Sequence, residues 1–434
     1  MRILLLSTYD LGHQPFGLSS PAAWLRERGH EVTCSDLSVD AFPARYASDA
    51  DLICFYLPMH TATRLAVPVI SKAKRLNPGA RICCYGLYAP LNEPYLRELG
   101  VHAVLGGEFE SALCDYADNL TTAAVSLERL KFRVPDRSTL APLASYAKLR
   151  VNGETKLAGY TEASRGCKHL CRHCPIVPVY QGTFRVVQRD VVLEDIRRLA
   201  AAGAEHITFG DPDFFNGPAH AMRIVRDMHC EHPHLSYDAT IKIEHLRGQR
   251  TLLPELKNTG CLFVTSAVES FDDEVLIKLN KGHTRADFLE VVRDFRELDL
   301  SLSPTFIPFT PWTTLESYRE FLSTLAGLDL IESVGPVQLA LRLLIPAGSL
   351  LLELNEIQAV LNGFEAPALL HRWKHSDPEM DALAGQVLRT AATSGSRREV
   401  FARIWELAHS QPLPENFDLL PRAAIPYLDE PWYC

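Results

Sequence analysis

The feature that most limits what this chain can fold into is a rhythm. Short apolar runs alternate with stretches of helical spacing, first over residues 1–120 and again, with longer units, over 156–350. Such alternation demands parallel sheet covered on both faces, because a crossover helix must return the chain before the next strand can run the same way. In the first block, apolar runs at 2–7, 31–34, 51–56, 81–85 and 103–105 predict buried strands, and 21–28, 61–76 and 93–99 predict helices. That is a doubly wound, flavodoxin-like sheet. Ligands of such sheets bind at the carboxyl ends of the strands, here residues 9–17, 57–60 and 106–107.

A polar stretch at 121–155, containing Pro135 and Arg137, reads as a linker with one short helix. Over 156–350, strands are expected at 159–164, 206–209, 237–243, 262–267, 303–308 and 337–344, and helices at 191–202, 219–229, 252–259, 285–298 and 315–328. Six such units predict a partial (β/α)6 barrel. Residues 351–434 read as a helical carboxyl-terminal region that turns Pro-rich and ends in Cys434.

Composition excludes several classes. A formal net charge of −9 without a basic run argues against nucleic acid as a partner. No apolar stretch reaches the roughly 18 residues of a membrane span. The opening apolar run is too short for a signal peptide, and polar Tyr9, Asp10 and His13 follow it at once, so a cytoplasmic location is expected. Eleven cysteines in a reducing compartment do not imply disulfides. Most lie in apolar surroundings and read as small core residues; Cys83-Cys84, side by side in a strand, face opposite ways.

The exception is Gly166-Cys167-Lys168-His169-Leu170-Cys171-Arg172-His173-Cys174-Pro175, a C-x3-C-x2-C segment after the first strand of the second block. Three thiolates on one loop suit zinc or an iron–sulfur cluster. On a cubane they leave one iron without a protein ligand, and an open position signals reactivity. The rival reading is a structural zinc with His169 or His173 as fourth ligand, in a non-catalytic metal-binding protein. The loop's place at the carboxyl end of a barrel strand favours catalysis.

The spacing, the Glu162-Ala163-Ser164-Arg165-Gly166 lead-in and the barrel that follows resemble the radical S-adenosylmethionine (SAM) superfamily. The resemblance implies a 4Fe–4S cluster on Cys167, Cys171 and Cys174, chelated by SAM at its open iron, and an external electron donor of flavodoxin or ferredoxin type. It implies an adenine contact near His173, where the family usually has an aromatic residue. It also implies SAM contacts at Gly210 and Asp211, which stand where a Gly-Gly-Glu-like turn is usual, and at Glu269 and Ser270. Lys242 and Glu244, at alternate positions of an expected strand, are further candidates for the barrel interior. Arg342 is a candidate carboxylate anchor; its alternative is a salt bridge to a helix.

The first block resembles the cobalamin-binding domain that precedes many radical SAM barrels. Asp10, His13 and Gly17 repeat the residue types of the family's Asp-x-His-x-x-Gly signature with wider gaps, and Gly106-Gly107 match a later one. Asp10, His13, Gly106 and Gly107 are therefore the cobalamin candidates. Segments 162–175, 206–218, 242–246 and 309–314 are similar to the CUAEP/CCAEP-tail radical SAM proteins, a group that includes an arsinothricin-pathway enzyme. Cys434 stands where their paired tail residue would follow. The architecture thus implies cobalamin-assisted methyl transfer to a small metabolite. The tail-bearing relatives imply instead transfer of SAM's 3-amino-3-carboxypropyl group to trivalent arsenic.

Overall fold

A computed structural model describes residues 1–414 and 425–429. Its first sheet holds β1 (Arg2–Ser7), β2 (Glu31–Asp36), β3 (Leu52–Tyr56), β4 (Arg81–Tyr85), β5 (Ala103–Gly107) and β6 (Val125–Ser126), all parallel, in spatial order 2-1-3-4-5-6. The order reverses between β1 and β3, so their carboxyl ends form a switch point where a crevice opens. Alternate residues feed two cores. Leu5, Cys54 and Cys83 pack against helices Phe16–Glu27 and Phe109–Ala117, while Leu4, Ile53 and Cys84 pack against helix His60–Leu76.

The expected linker supplies strand as well as loop: β6 and then β7 (Lys148–Val151), which pairs antiparallel with β8 (Glu154–Thr161). A short antiparallel pair follows, β9 (Ser164–Gly166) with β10 (Phe184–Val186). From β8 the second sheet continues in parallel through β11 (His206–Phe209), β12 (Ser236–Thr240), β13 (Cys261–Glu269) and β14 (Ser301–Phe306). This is the curled half-barrel. Its helices, such as Arg189–Ala201 and Arg285–Glu297, carry acidic first turns and one buried face, and they join the strands in a single large core.

Two expected strands are corrected. Residues 337–344 form no strand: Pro336–Leu339 is a 3₁₀ turn, and pairing is limited to one parallel bridge between Phe309 and Arg342. The reason is local. The Gln338 side chain accepts the Phe306 N–H at 3.1 Å, taking the edge donor that a sixth strand would have used. The strand expected to reach 243 stops at Thr240, and helix Ile243–Gly248 begins with Lys242 as its cap residue.

The carboxyl-terminal region is helical, with Pro378–Ala391 and Arg397–His409, but it also contains a hairpin of β15 (Leu361–Glu365) and β16 (Leu370–Trp373). A last strand, β17 (Tyr427–Leu428), pairs with β7. Among the described residues no helix is long and apolar enough to cross a membrane.

Candidate active site

The cysteine loop leaves β9 through Gly166, whose φ of +72° is left-handed; a Cβ there would lie 2.3 Å from the Tyr180 ring. Glycine is the residue this turn can accept. Remote side chains then hold the loop backbone. Asn216 donates to the Gly166 carbonyl (3.2 Å) and accepts from Lys168 N–H (3.2 Å). Asn280 donates to the Leu170 carbonyl (3.0 Å), and Ser349 to the Arg172 carbonyl (2.8 Å). Cys171 is buried and Cys167 and Cys174 partly so. Burial pushes the Cys167 thiol up and the Cys174 thiol up to about 12. Such thiols ionise at neutral pH when a metal takes the electron pair.

Cationic groups surround them. Lys242 Nζ lies 3.8 Å from Cys171 Sγ and 3.1 Å from a Glu244 oxygen. Lys281, almost wholly buried, bonds Glu269 at 3.2 Å, and His173 Nε2 meets the same Glu269 oxygen at 3.1 Å. Burial alone would raise the Glu269 carboxyl, but Lys281 and His173 outweigh it and bring it down to about 2. Glu269 is also held at φ +72°, uncommon for a non-glycine residue. Ser270 is spent locally, accepting from Asp272 N–H at 3.0 Å. Lys242 and Glu244 do meet, through the helix start rather than one strand face.

A cavity of about 660 Å³ opens between the carboxyl edge of the first sheet and the half-barrel interior. Asp10, His13 and Gly107 line it from one side, Tyr160, Gly210 and Asp211 from the other, and Gly166 and Ile176 bracket the cysteine loop at its margin. The His13 ring stacks on Tyr160 with centroids 4.7 Å apart. A Cβ on Gly210 would fall 1.8 Å from the Tyr160 hydroxyl, so the glycine makes room for that ring. Gly106 packs against Pro90 instead of the cavity. Burial raises Asp10 to about 7. Asp211 also rises to about 7 by burial, although it accepts from Ala163 N–H (2.8 Å) and Ser164 Oγ (2.5 Å).

Arg342 lies away from the cavity lining: its guanidinium pairs with Asp381 at 2.7 Å and stacks 3.9 Å over Trp373. This is the salt-bridge alternative. Cys434 lies outside the described residues.

Sequence reasoning missed an ionic clamp between the two halves. Arg165 bonds Glu110 (2.7 Å) and Glu162 (2.6 Å) and stands 3.7 Å from Glu108; both glutamates of the first half are fully buried and Glu162 nearly so. Tyr180 donates to Glu108 (3.1 Å) and Ser20 to Glu110 (2.6 Å). Burial of three carboxylates around one cation raises Glu108 to about 7. The one signal available was position: Glu108 and Glu110 stand one and three residues after Gly107, and Arg165 directly precedes Gly166.

Residues 161–325 match the radical SAM superfamily, so the segment that carries the cysteine loop and β11 to β14 is a radical SAM domain. Such a domain works with a 4Fe–4S cluster and SAM, and three largely covered thiols beside two lysines fit the cluster. Among curated proteins, the chain is similar to the hopanoid C-3 methylase of Methylococcus capsulatus, with 23% identity over 335 residues, 71% of this chain and 64% of that protein. The chain thus spans just under two thirds of that relative. Among solved structures it is similar to the radical SAM methyltransferase TsrM from Kitasatospora setae, with tryptophan substrate and a SAM analogue bound (TM-score 0.65, 17% identity, 91% of this chain and 90% of that one). It is also similar to the cobalamin-dependent SAM radical enzyme OxsB with aqua-cobalamin bound (TM-score 0.68, 14% identity, 89% and 66%). At these identities the structural likeness is one of fold.

Proposed function

We propose that this protein is a radical SAM methyltransferase acting on a small metabolite with the help of cobalamin. The observation that carries the reading is the cavity itself, bounded on one side by the carboxyl edge of a doubly wound sheet and at its margin by the cysteine loop. The comparisons support it, since the hopanoid enzyme is a methylase, TsrM a methyltransferase and OxsB cobalamin-dependent.

A cluster held by Cys167, Cys171 and Cys174 would supply the electron that breaks a carbon–sulfur bond of SAM, and cobalamin would supply a methyl carrier. The chain's own residues do the rest. Lys242 and Lys281 offset thiolate charge. Glu269, ionised at all working pH values, stands ready with His173 for a cationic amino group or ribose hydroxyls of SAM. Asp10, His13 and Gly107 would hold the corrinoid face, and Tyr56, Tyr160 and Phe263 give the cavity aromatic walls. An external flavodoxin- or ferredoxin-type donor would deliver the electron.

The second reading is cobalamin-independent 3-amino-3-carboxypropyl transfer to trivalent arsenic. It draws on the stacking of His13 against Tyr160, which occupies the ring, and on the resemblance to tail-bearing relatives. Anaerobic reconstitution, reduction with SAM and mass analysis of products separates the two. Cobalamin-dependent S-adenosylhomocysteine or 5′-deoxyadenosine is expected; 5′-methylthioadenosine formed without cobalamin overturns the methylase reading.

A further inference from the structure

A second group of ligating side chains converges beside the cysteine loop. His169 lies between Cys167 and Cys171, Asp213 follows β11, and His245 stands in the first turn of helix Ile243–Gly248. Among the described residues, these three form the trio of metal-ligating side chains whose ligand atoms all lie within 4.8 Å of one another. His169 Nε2 is 3.0 Å from His245 Nε2 and 3.9 Å from Asp213 Oδ2, and His245 Nδ1 is 2.6 Å from Asp213 Oδ2. Three separate segments supply them, so no single turn explains the meeting.

The contact chemistry is the second observation. Despite their 2.6 Å approach, His245 Nδ1 and Asp213 Oδ2 lack hydrogen-bond geometry, and both are buried polar atoms without a hydrogen-bond partner. Asp213 is 0% exposed and His245 8%. The other Asp213 oxygen accepts from Phe215 N–H (3.2 Å) and Lys242 N–H (3.5 Å), which fixes the carboxylate and turns Oδ2 to the histidines. Leaving two such atoms unsatisfied is unfavourable, because each loses its water without gaining a partner. A cation that accepts both lone pairs removes the cost. His169 Nδ1 faces Glu244 at 3.4 Å, the carboxylate support that orients a ligating imidazole.

We propose that His169, Asp213 and His245 bind one divalent first-row transition cation of the zinc or ferrous class, distinct from the cluster on the three cysteines. Two imidazoles and a carboxylate suit such borderline ions, whereas the thiolates suit the cluster. Three protein ligands leave a position for water. The ion ties the middle of the cysteine loop to the ends of β11 and β12 and so pins the loop from outside the cluster.

The test uses reconstituted holoenzyme, desalted, equilibrated with Zn²⁺ and read by elemental analysis and zinc-edge X-ray absorption. Expected is one zinc per chain beyond the cluster iron, with nitrogen and oxygen neighbours and no sulfur at about 2.3 Å. Asp213→Asn and His245→Gln each weaken zinc binding at least about tenfold at unchanged iron content. Wild type that keeps its iron but retains no zinc overturns the proposal. So does zinc with sulfur neighbours and a matching loss of iron. Should the variants also lose iron, the wild-type stoichiometry and its scatterers decide alone.

Discussion

The cysteine loop and the β1 loop border one cavity from opposite halves of the molecule, and they are built by opposite rules. In the cysteine loop the three thiols are neighbours in sequence and the scaffold is remote: Asn216, Asn280 and Ser349 come from three later segments. In the β1 loop the scaffold is local and the chemistry is remote. Burial between the two halves raises the Asp10 carboxyl, Asp36 and Glu162 add to it, and the His13 ring stacks on Tyr160 across the boundary. Contiguous cysteines leave a spacing that sequence reading can find. A site made by juxtaposing two halves leaves none.

The sharpest way to break this contrast is Cys171→Ala. It should take iron content and SAM cleavage to background, measured by iron assay and product mass analysis after reconstitution; a retained cluster would remove the loop from the chemistry. Next in size is Arg165→Met, which strands three buried carboxylates and should cost about 3–5 kcal/mol in urea unfolding. Because Arg165 touches both halves, a small cost would mean that they are stabilised independently. The third test is of pH. Asp10 stands at about 7 in the fold against an ordinary 3.8, so below about pH 4 both states are protonated and it carries no penalty. From there to about 7 the unfolded chain gives up its proton first, stability falls, and above 7 the decline stops. Asp10→Asn should make this slope shallower by Asp10's share, the raised Asp211 and Glu108 carboxyls keeping the rest, and should exceed wild type by about 1–4 kcal/mol at pH 8; equal pH profiles would show Asp10 to be ordinary. The smallest effect is expected of Arg342→Ala. Its pair with Asp381 is a third exposed, so about 1 kcal/mol or less should be lost, with SAM cleavage intact.

The parallel sheets were legible because buried strands are uninterrupted apolar runs, and the cysteine triple because three thiols so close in sequence stand out from the core cysteines. The run at 337–344 misled because apolar content does not distinguish a strand from a 3₁₀ turn whose Gln338 side chain fills the vacant edge position. Lys242 and Glu244 misled for a related reason. Period-two logic fails one residue after a strand ends, and Thr240 ends this one. The hairpin of β15 and β16 is too exposed to leave an alternating pattern. The clamp of Arg165 and the trio of His169, Asp213 and His245 depend on contacts between segments far apart in sequence, which periodicity does not encode.

The Arg165 clamp also limits how such a protein can be re-engineered. Arg165 stands two residues before the first cysteine, and its partners Glu108 and Glu110 stand just past the last residue of β5. The two halves are therefore not interchangeable modules. A chimera that borrowed its first sheet from a relative without those glutamates would unbalance the charge at the root of the cysteine loop, so grafting a new cavity wall means transplanting the clamp with it.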